Sequence, residues 1–213
     1  GLSGLYSLGN QVDVNETTIL EPVAAPAYTS VITLYMEGVS SGRDFVAAAR
    51  QVSREKPIMA LKVGRFDAGR KAAASHTGSL AGAAKIYGSA FKQAAVIQAS
   101  DLDNLFDRTL ALSVQPPMKG DHMLILTNGG GVGVLATDAA EKFGVPLQFA
   151  PPEVQAEMKK HMPEFGSAKN PVDMTGMAGN EWYYETVKYS LTNDWVDSVV
   201  VLYCETAMTN PAE

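Results

Sequence analysis

Residues 31–63 read VITLYMEGVSSGRDFVAAARQVSREKPIMALKV, and this stretch decides the fold class. Its two ends, residues 31–36 and 58–63, are apolar runs with the length and composition of buried strands. The segment between them, from Gly42 onward, places apolar residues at helical spacing and ends before Pro57. Two strands joined by one helix predict a parallel pair in an α/β sheet.

The same alternation of strands and helices continues along the rest of the chain. Further strands are predicted at residues 95–97, 123–126, 145–147 and 198–204, and further helices at residues 80–91, 102–110, 135–143, 152–162 and 181–191. The run 145–147 is expected to be a short edge strand, and the run 198–204 a central buried one. The last helix is expected to turn Tyr184, Val187 and Leu191 inward.

Residues 114–121 are the predicted linker, because Pro116 and Pro117 stop both a helix and a central strand. The fold class is therefore α/β, with two doubly wound domains whose sheets are mainly parallel. The first domain is predicted at residues 1–116 and the second at residues 117–213. Because only nine residues follow the last predicted strand, we expect the second domain to be truncated at its carboxyl end.

The composition excludes several classes of protein. Hydrophobic residues make up 46% and charged residues 19%, which excludes a disordered chain. The net charge of −6 gives no basic surface for nucleic acid or an anionic membrane. The single cysteine, Cys204, fits a reducing compartment, and the chain shows neither a signal peptide nor a membrane-spanning apolar run. We therefore expect a cytoplasmic protein, present here as a piece of a longer chain.

The sequence NGGGVG, residues 128–133, joins a predicted strand to a predicted helix. A turn of this kind directs free backbone N–H groups and the positive end of the helix at an anion. The spacing is neither that of a dinucleotide-binding turn nor that of a P-loop. A tight turn without any ligand explains the same residues equally well.

His76 lies among small residues, in the segment AAASHTGSLAG at residues 72–82. A surface or helix-capping histidine is one interpretation, and a general base, a metal ligand or a phosphate-accepting nucleophile are the functional ones. A metal site is not predicted, because His122 and His161 stand alone in the sequence. A serine nucleophile served by His76 would need a G-x-S-x-G turn, which is absent.

A nucleophilic imidazole needs an acceptor that holds one ring nitrogen and leaves the other free. Glu37 is the best candidate for this acceptor, because it follows the strand 31–36 at the carboxyl edge of the sheet. An ordinary polar residue at the end of a strand is the alternative.

Two further groups of polar residues have both a structural and a functional interpretation. The basic residues before His76 form either a solvated loop or a local compensation of the acidic net charge near a phosphate; they are Lys62, Arg65, Arg70 and Lys71. The turns at residues 9–13 and 170–173 are expected to be Asx-type turns or helix caps, and to be structural.

Six stretches resemble the NDP-forming acyl-CoA synthetases, which are also called ADP-forming acetyl-CoA synthetases and are related to succinyl-CoA synthetase. They are SLGN at 7–10, LYMEG at 34–38, KVGR at 62–65, SHTGSLAG at 75–82, TNGGGVG at 127–133 and NPVD at 170–173. They occur in the order found in that family and cover almost the whole chain. The resemblance implies two flavodoxin-like domains, with the first one incomplete at its amino end.

The resemblance also implies a chemistry. An acyl-CoA and phosphate give an acyl phosphate, whose phosphoryl group passes to a histidine and then to ADP. His76 matches the phosphohistidine, and Glu37 matches the carboxylate that orients it. The phosphate and acyl site would be lined by residues of two loops, which are Ser75, Thr77, Asn128, Gly129, Gly130 and Gly131.

CoA, ADP or ATP, and Mg²⁺ are the cofactors that the resemblance implies for the full-length enzyme. The CoA-binding and ATP-grasp domains would lie elsewhere or on a partner subunit in a homo- or hetero-oligomer, so we expect this segment to bind no cofactor tightly and to be inactive alone. One alternative is an acyl-CoA-sensing regulatory part of a protein acetyltransferase. Another is an interaction scaffold for partner subunits.

Overall fold

The computed structural model describes residues 1–11, 13–65 and 84–206 of the chain. The chain divides into two compact units, Gly1–Pro117 and Met118–Glu213. Each unit contains a parallel sheet flanked by helices, which confirms the predicted α/β class. Within the described ranges, no helix combines the length and the apolar character needed to cross a membrane.

The first unit is built around a parallel sheet with the strand order β1-β2-β3. Its elements are α1 (Glu16–Ala24), β1 (Ile32–Met36), α2 (Gly42–Val52), β2 (Ile58–Lys62), α3 (Ala84–Gln93), β3 (Ile97–Gln98) and α4 (Leu102–Val114). The register pairs Ile32 with Ile58 and Met36 with Lys62. The two strands predicted from residues 31–63 are confirmed, with bounds that differ by at most one residue, and the helix begins at Gly42 as predicted but ends at Val52, several residues before Pro57.

The two faces of this sheet contact different helices. Ile58 and Ala60 of β2 face a cluster that contains Phe45 of α2 and Phe91 of α3. Met59 and Leu61 face the opposite side, where Leu105 of α4 is buried. Strand β2 is therefore buried along its entire length.

Strand β3 begins later than the predicted strand at residues 95–97. Ala95 has a φ of 54°, in the left-handed region, and the extended backbone starts only after it. The helix predicted from residue 80 is described from Ala84 to Gln93, and Tyr87 and Phe91 are buried as its periodicity requires. Leu80 lies outside the described residues.

The second unit has the parallel strand order β5-β4-β6. Its elements are β4 (Met123–Thr127), α5 (Gly130–Lys142), α6 (Pro152–Met158), a single 3₁₀ turn (Lys159–His161), β5 (Val172–Asp173), α7 (Asn180–Thr192) and β6 (Ser198–Leu202). Leu124 and Leu126 of β4 pack with Val154 and Met158 of α6. Strand β4 therefore forms the centre of this sheet.

The prediction of a central strand at residues 198–204 was wrong. Among the described strands, β6 pairs only with β4 and lies at the edge, where its residues are only partly buried or, at Val201, 48% exposed. The prediction of an edge strand at residues 145–147 was also wrong, because this segment has no strand pairing. Pro146 lacks an N–H for such pairing, and the side-chain amide of Asn170 binds the carbonyl of Gln148 instead.

Helix α7 turns a different face to the core than the one predicted. Tyr184 and Leu191 are exposed at 63% and 70%, whereas Thr186 and Ser190 are fully buried. Small side chains one turn apart allow close packing, and the Ser190 hydroxyl donates to Thr186 O at 2.7 Å. Val187 is partly buried against the core, as predicted.

Replacement of Phe45 by Ala tests the core of the first unit. Phe45 is 1% exposed and makes an edge-to-face contact with Phe91 at a centroid distance of 6.2 Å. The resulting cavity should lower the free energy of unfolding by about 3–5 kcal/mol. Urea unfolding followed by circular dichroism measures this loss. Phe106→Ala is the control, since Phe106 is 62% exposed; an equal loss in both variants would contradict the packing described here.

Candidate functional site

Glu37 lies at the carboxyl edge of the first sheet, as predicted. It follows Met36, the last residue of β1, and is half-buried. Val63, the first residue after β2, donates its N–H to Met36 O at 3.0 Å, so the two strands end side by side. The residues that follow β1 and β2 therefore share this edge.

The loop after Glu37 is held by two buried side chains. The N–H of Val39 donates to Tyr87 Oη at 3.1 Å, and the N–H of Ser40 donates to Glu16 Oε1 at 3.2 Å. Glu16 is 3% exposed, and burial raises the pKa of Tyr87. Both contacts fix the backbone directly beyond Glu37.

Lys62 ends β2 at the same edge, and only 1% of it is exposed. Its ammonium group donates to Val63 O and lies 4.7 Å from the centroid of the Tyr87 ring. Burial lowers the pKa of Lys62, while the negative charge of Glu37 opposes this shift. The interpretation of this part of the basic group as a solvated loop is wrong for Lys62, because β2 carries it into the core.

The other basic and hydroxyl-bearing residues of the predicted site are only partly described. Arg65 donates from its guanidinium to Ser100 O, at the end of the neighbouring strand β3. Arg70, Lys71, Ser75, His76 and Thr77 lie outside the described residues. The proximity of His76 to Glu37 therefore stays a prediction.

The glycine-containing turn follows β4 and begins α5, as predicted. Gly129 is the N-cap residue, and Gly130 and Gly131 form the first turn of the helix. Thr127 closes the turn, because its Oγ1 accepts from the N–H of Gly129 at 3.0 Å and donates to Gly129 O at 3.1 Å. The N–H groups at the start of a helix have no partner within the helix itself, and Gly130 and Gly131 lie at this position.

Asn128 has a structural task in this turn that the sequence did not predict. Its side chain is 2% exposed and forms a reciprocal pair with Cys204. Asn128 Oδ1 accepts from Cys204 N at 2.7 Å, and Nδ2 donates to Cys204 O at 2.8 Å. The side chain thereby joins the turn after β4 to the chain after β6.

Asp173 and Asn170 are the residues of the NPVD turn whose contacts bear on the site. A Cβ atom at Gly130 would lie 2.8 Å from Asp173 Oδ2, which places this carboxylate against the start of α5. Asp173 Oδ1 accepts from Thr175 N at 2.9 Å, as in the predicted Asx-type turn. Asn170 is 5% exposed and bonds to the backbone of Ile125, Met123 and Gln148. The structural interpretation of this turn holds for Asn170, but the position of Asp173 was missed.

Tyr183 on α7 contacts the same edge of the second sheet. Its hydroxyl donates to Leu202 O, the last residue of β6, at 2.9 Å. Burial raises the pKa of Tyr183 to about 12, and the hydroxyl therefore stays protonated at neutral pH. Sequence periodicity did not show that Tyr183 contacts the core and that its neighbour Tyr184 is exposed.

A separate group of side chains that could ligate a metal ion lies at the amino ends of the strands of this sheet. Donor atoms of Asp121, His122 and Asp197 lie within 4.8 Å of one another. His122 stacks on Trp195, and its backbone N–H donates to Asp197 Oδ2 at 3.1 Å. These residues precede β4 and β6, whereas the glycine turn follows β4. Sequence spacing missed the group because Asp197 is distant from His122 along the chain.

Comparison with protein families accounts for both units. Residues 1–112 match the succinyl-CoA ligase-like flavodoxin domain, and residues 123–213 match the ligase-CoA domain. The chain belongs to the succinyl-CoA ligase-like family. The resemblance stated from the six sequence stretches is thereby confirmed, together with the flavodoxin-like fold.

Members of the succinyl-CoA ligase-like family match almost the entire chain. The alpha subunit of ADP-forming acetate–CoA ligase I from Pyrococcus furiosus is 47% identical over 213 residues, which cover 100% of this chain and 46% of that subunit. ADP-forming acetate–CoA ligase I from Archaeoglobus fulgidus is 41% identical over 207 residues, which cover 97% of this chain and 30% of the relative. The chain thus spans about half the length or less of these relatives.

A solved structure of the same family has the same fold. Acetyl-coenzyme A synthetase 1 from Candidatus Korarchaeum cryptofilum, in complex with phosphate and ADP, superposes with a TM-score of 0.95 at 44% identity. The match covers 99% of this chain and 46% of that one. These relatives are named as ADP-forming acetate–CoA ligases and as an acetyl-coenzyme A synthetase.

Replacement of Gly129 by Ala tests the geometry of the turn. A Cβ atom at this position would lie 2.6 Å from Cys204 Sγ and 3.3 Å from Cys204 Cβ. Because Asn128 holds the backbone of Cys204, either the turn or the Cys204 side chain must shift, and we expect a loss of about 1–3 kcal/mol in unfolding free energy.

Gly131→Ala is the matched control in the same turn. No atom lies within 4 Å of a Cβ at Gly131. This variant should change the unfolding free energy by less than about 1 kcal/mol, and in the stabilising direction. Thermal and urea unfolding of both variants measure the difference; equal stability would contradict the close approach of Cys204 to Gly129.

Proposed function

We propose that the chain is the part of an ADP-forming acyl-CoA synthetase that carries the phosphorylated histidine. The complete enzyme would interconvert acyl-CoA, ADP and phosphate with a carboxylic acid, ATP and CoA. The observation that carries this proposal is the 47% identity to an acetate–CoA ligase alpha subunit over 100% of the chain. The first unit would bear the phosphohistidine, and the turn after β4 in the second unit would bind an acyl or phosphate oxygen.

In this proposal His76 attacks the phosphorus of an acyl phosphate. A P–N bond forms, the P–O bond to the acyl group breaks, and the carboxylic acid leaves as its carboxylate. Transfer from His76 to the β-phosphate of ADP then gives ATP and restores the neutral ring. Glu37 would accept a hydrogen bond from one ring nitrogen, so that the other keeps its lone pair for the attack. Support comes from the position of Glu37 at the carboxyl edge, beside residues that fix its loop.

The turn after β4 in the second unit would bind an oxygen of the phosphate or acyl group. Backbone N–H groups of Gly130 and Gly131 suit a phosphate or acyl oxygen, and the absence of side chains there permits its approach. Asn128 would act through its hold on Cys204, which shapes the turn. Asp173 lies against the same helix start, so a bound anion would share this end of α5 with a carboxylate. Ser75 and Thr77 would contribute hydroxyl groups next to His76.

CoA, a nucleotide and Mg²⁺ belong to the complete enzyme in this proposal. The donor set described above fits a small anion at the turn after β4, and Mg²⁺ would neutralise phosphate charge when bound. CoA-binding and ATP-grasp domains, on the same chain or on a partner subunit, would bind the thiol and the nucleotide. The Korarchaeum relative is in complex with phosphate and ADP, which supports the phosphate and nucleotide part of this proposal. A cytoplasmic location is part of the same proposal.

The relatives favour the ligase over the acyl-CoA-sensing alternative. The proteins compared above are named as ADP-forming ligases or synthetases, and the chain matches them from end to end. A sensor would need no phosphoryl acceptor. The labelling experiment that follows also separates the ligase from a scaffold, which predicts no phosphohistidine.

Phosphorylation of His76 is the direct test of the proposed function. The complete enzyme, incubated with γ-³²P-labelled ATP and Mg²⁺, should acquire one acid-labile and base-stable phosphoryl group. His76→Ala should abolish this label, because alanine has no ring nitrogen that could accept the phosphoryl group. His161→Ala is the control and should label like the parent, since His161 lies in the 3₁₀ turn of the second unit. Undiminished labelling of His76→Ala would contradict the proposal.

Replacement of Glu37 by Gln tests the acceptor role. The neutral amide no longer holds the ring in one tautomer, so the rate of phosphorylation should fall by roughly 100-fold. Rapid-quench labelling of the complete enzyme measures this rate. Glu55→Gln is the control in the same unit, because Glu55 is exposed and lies after α2. A rate within twofold of the parent for Glu37→Gln would show that Glu37 does not orient the histidine.

A further inference from the structure

The amino ends of β4 and β6 bring three metal-ligating side chains together, those of Asp121, His122 and Asp197. The parallel register pairs Met123 with Ser198, so the residues directly before these two lie side by side although 75 positions separate them along the chain. One donor atom of each side chain lies within 4.8 Å of the other two. The sheet of the second unit thus assembles a set of ligands that no single segment contains.

The imidazole ring of His122 is held in one orientation by its surroundings. It stacks on the Trp195 ring with a centroid distance of 4.8 Å and an interplanar angle of 18°. The His122 carbonyl accepts from the N–H groups of Asp197 at 2.9 Å and of Ser198 at 3.3 Å. Trp195 is itself fixed, because its N–H donates to Asn193 Oδ1 at 2.9 Å. A ligand whose backbone and ring are both fixed loses little entropy when it binds an ion.

The Asp197 carboxylate is also held in place. Its Oδ2 accepts from the backbone N–H of His122 at 3.1 Å, and the side chain is only 18% exposed. A Cβ atom at Gly120 would lie 2.9 Å from Asp197 Oδ1 and closer still to Oδ2, so the absence of a side chain there makes room for the carboxylate. A hydrogen bond to a ligating carboxylate is a common means by which proteins orient it for a metal ion.

The distances favour a shared ion over direct pairing of the ring with the carboxylates. Asp197 Oδ2 lies 3.5 Å from His122 Nδ1, and Asp121 Oδ1 lies 4.0 Å from His122 Nε2. A charge-assisted hydrogen bond between such groups is shorter, about 2.7–2.9 Å. Two ligands of one tetrahedral zinc ion, each about 2.1 Å from the metal, are about 3.4 Å apart, and the first pair has this separation. Asp121 is 69% exposed and can rotate to the same ion.

The charge of the group also favours a cation. The carboxylates of Asp121 and Asp197 carry two negative charges, and a neutral imidazole contributes a lone pair without any charge. Among the residues that the structure describes, no lysine or arginine forms an ion pair with either aspartate. An imidazolium at His122 would offset one of the charges, whereas a divalent ion offsets both.

We propose that Asp121, His122 and Asp197 form a binding site for one divalent ion of the zinc type, a class that includes Zn²⁺ and Co²⁺. One imidazole and two carboxylates suit such ions, whereas Mg²⁺ prefers an octahedral shell of oxygen atoms. Three protein ligands leave one position for water. The ion joins the starts of β4 and β6 and so holds the edge strand of the sheet. The inference goes beyond the proposed function and does not depend on it, because the site lies at the ends of the strands opposite the glycine turn.

Calorimetric titration of the metal-free complete enzyme with ZnCl₂ tests the site. The parent is compared with Asp197→Asn, which keeps an acceptor for the His122 N–H, and with His122→Phe, which keeps the stacking on Trp195. Each variant should lose one Zn²⁺ site per chain, seen as an affinity at least about 100-fold lower. Unchanged Zn²⁺ binding in either variant would overturn the proposal, and so would a loss that appears with MgCl₂ but not with ZnCl₂.

Asp194→Asn is the matched control. Asp194 precedes Trp195 in the same loop, is exposed and does not belong to the group of ligands. This variant should bind Zn²⁺ with the affinity of the parent. An equal loss of affinity in Asp194→Asn and Asp197→Asn would show a general effect of negative charge in this loop and refute a three-ligand site.

The competing arrangement is a protonated His122 between the two carboxylates without any metal. It predicts the same Zn²⁺ affinity in the parent and in every variant, whereas the proposed site predicts that Zn²⁺ raises the thermal midpoint of the parent alone. Circular dichroism of the metal-free variants shows whether each one folds. Should neither Asp197→Asn nor His122→Phe fold, Asp121→Asn decides, because Asp121 is exposed. Its Zn²⁺ affinity should fall by about 10-fold or more, and a parental affinity would refute the site.

Discussion

In a parallel sheet all strands end at the same edge, so side chains that lie a whole helix apart in sequence come together there. The first unit collects Glu37 and Lys62 at this edge, although α2 separates them along the chain. The second unit collects Asn128, Asp173 and Cys204 in the same way. Both groups of polar residues depend on this arrangement of the strands, since no local segment brings them together.

The loops at these edges are held by side chains that bind backbone groups. Tyr87 and Glu16 do this after β1, and Thr127 and Asn128 do it after β4. Each of these side chains is buried, and a buried polar group requires a partner with defined geometry. The loops therefore have little freedom at the residues that carry the proposed chemistry.

The sequence predicted the strands of both sheets where their residues are apolar on both faces. Residues 31–36, 58–63 and 123–126 are runs of this kind, and each forms a strand. Predictions were less accurate where tertiary contacts determine which face of a helix is buried. The apolar residues Tyr184 and Leu191 are exposed while Thr186 and Ser190 are buried, because close packing of α7 favours small side chains there.

The candidate site was predicted where a polar residue follows a strand directly. Glu37 and the glycine turn were found by this signal. Asp173 was missed because the turn that contains it has a complete structural explanation, and the burial of Lys62 was missed because neighbouring basic residues resemble a solvated loop. The sequence did show a lysine at the end of an otherwise apolar strand. This signal predicts a buried lysine only if the strand is known to be central.

The two edges differ in the kind of group that holds them. At the first edge the buried ammonium of Lys62 donates to Val63 O and lies over the Tyr87 ring, and its strand pairs it with Met36, the residue before Glu37. At the second edge the amide of Asn128 and the hydroxyl of Thr127 hold the turn without any charge. The carboxylate of Asp173 lies against the start of α5 at the same edge, beside the neutral groups that hold the turn. The first edge therefore contains a buried charge, whereas the turn after β4 is held by neutral hydrogen bonds.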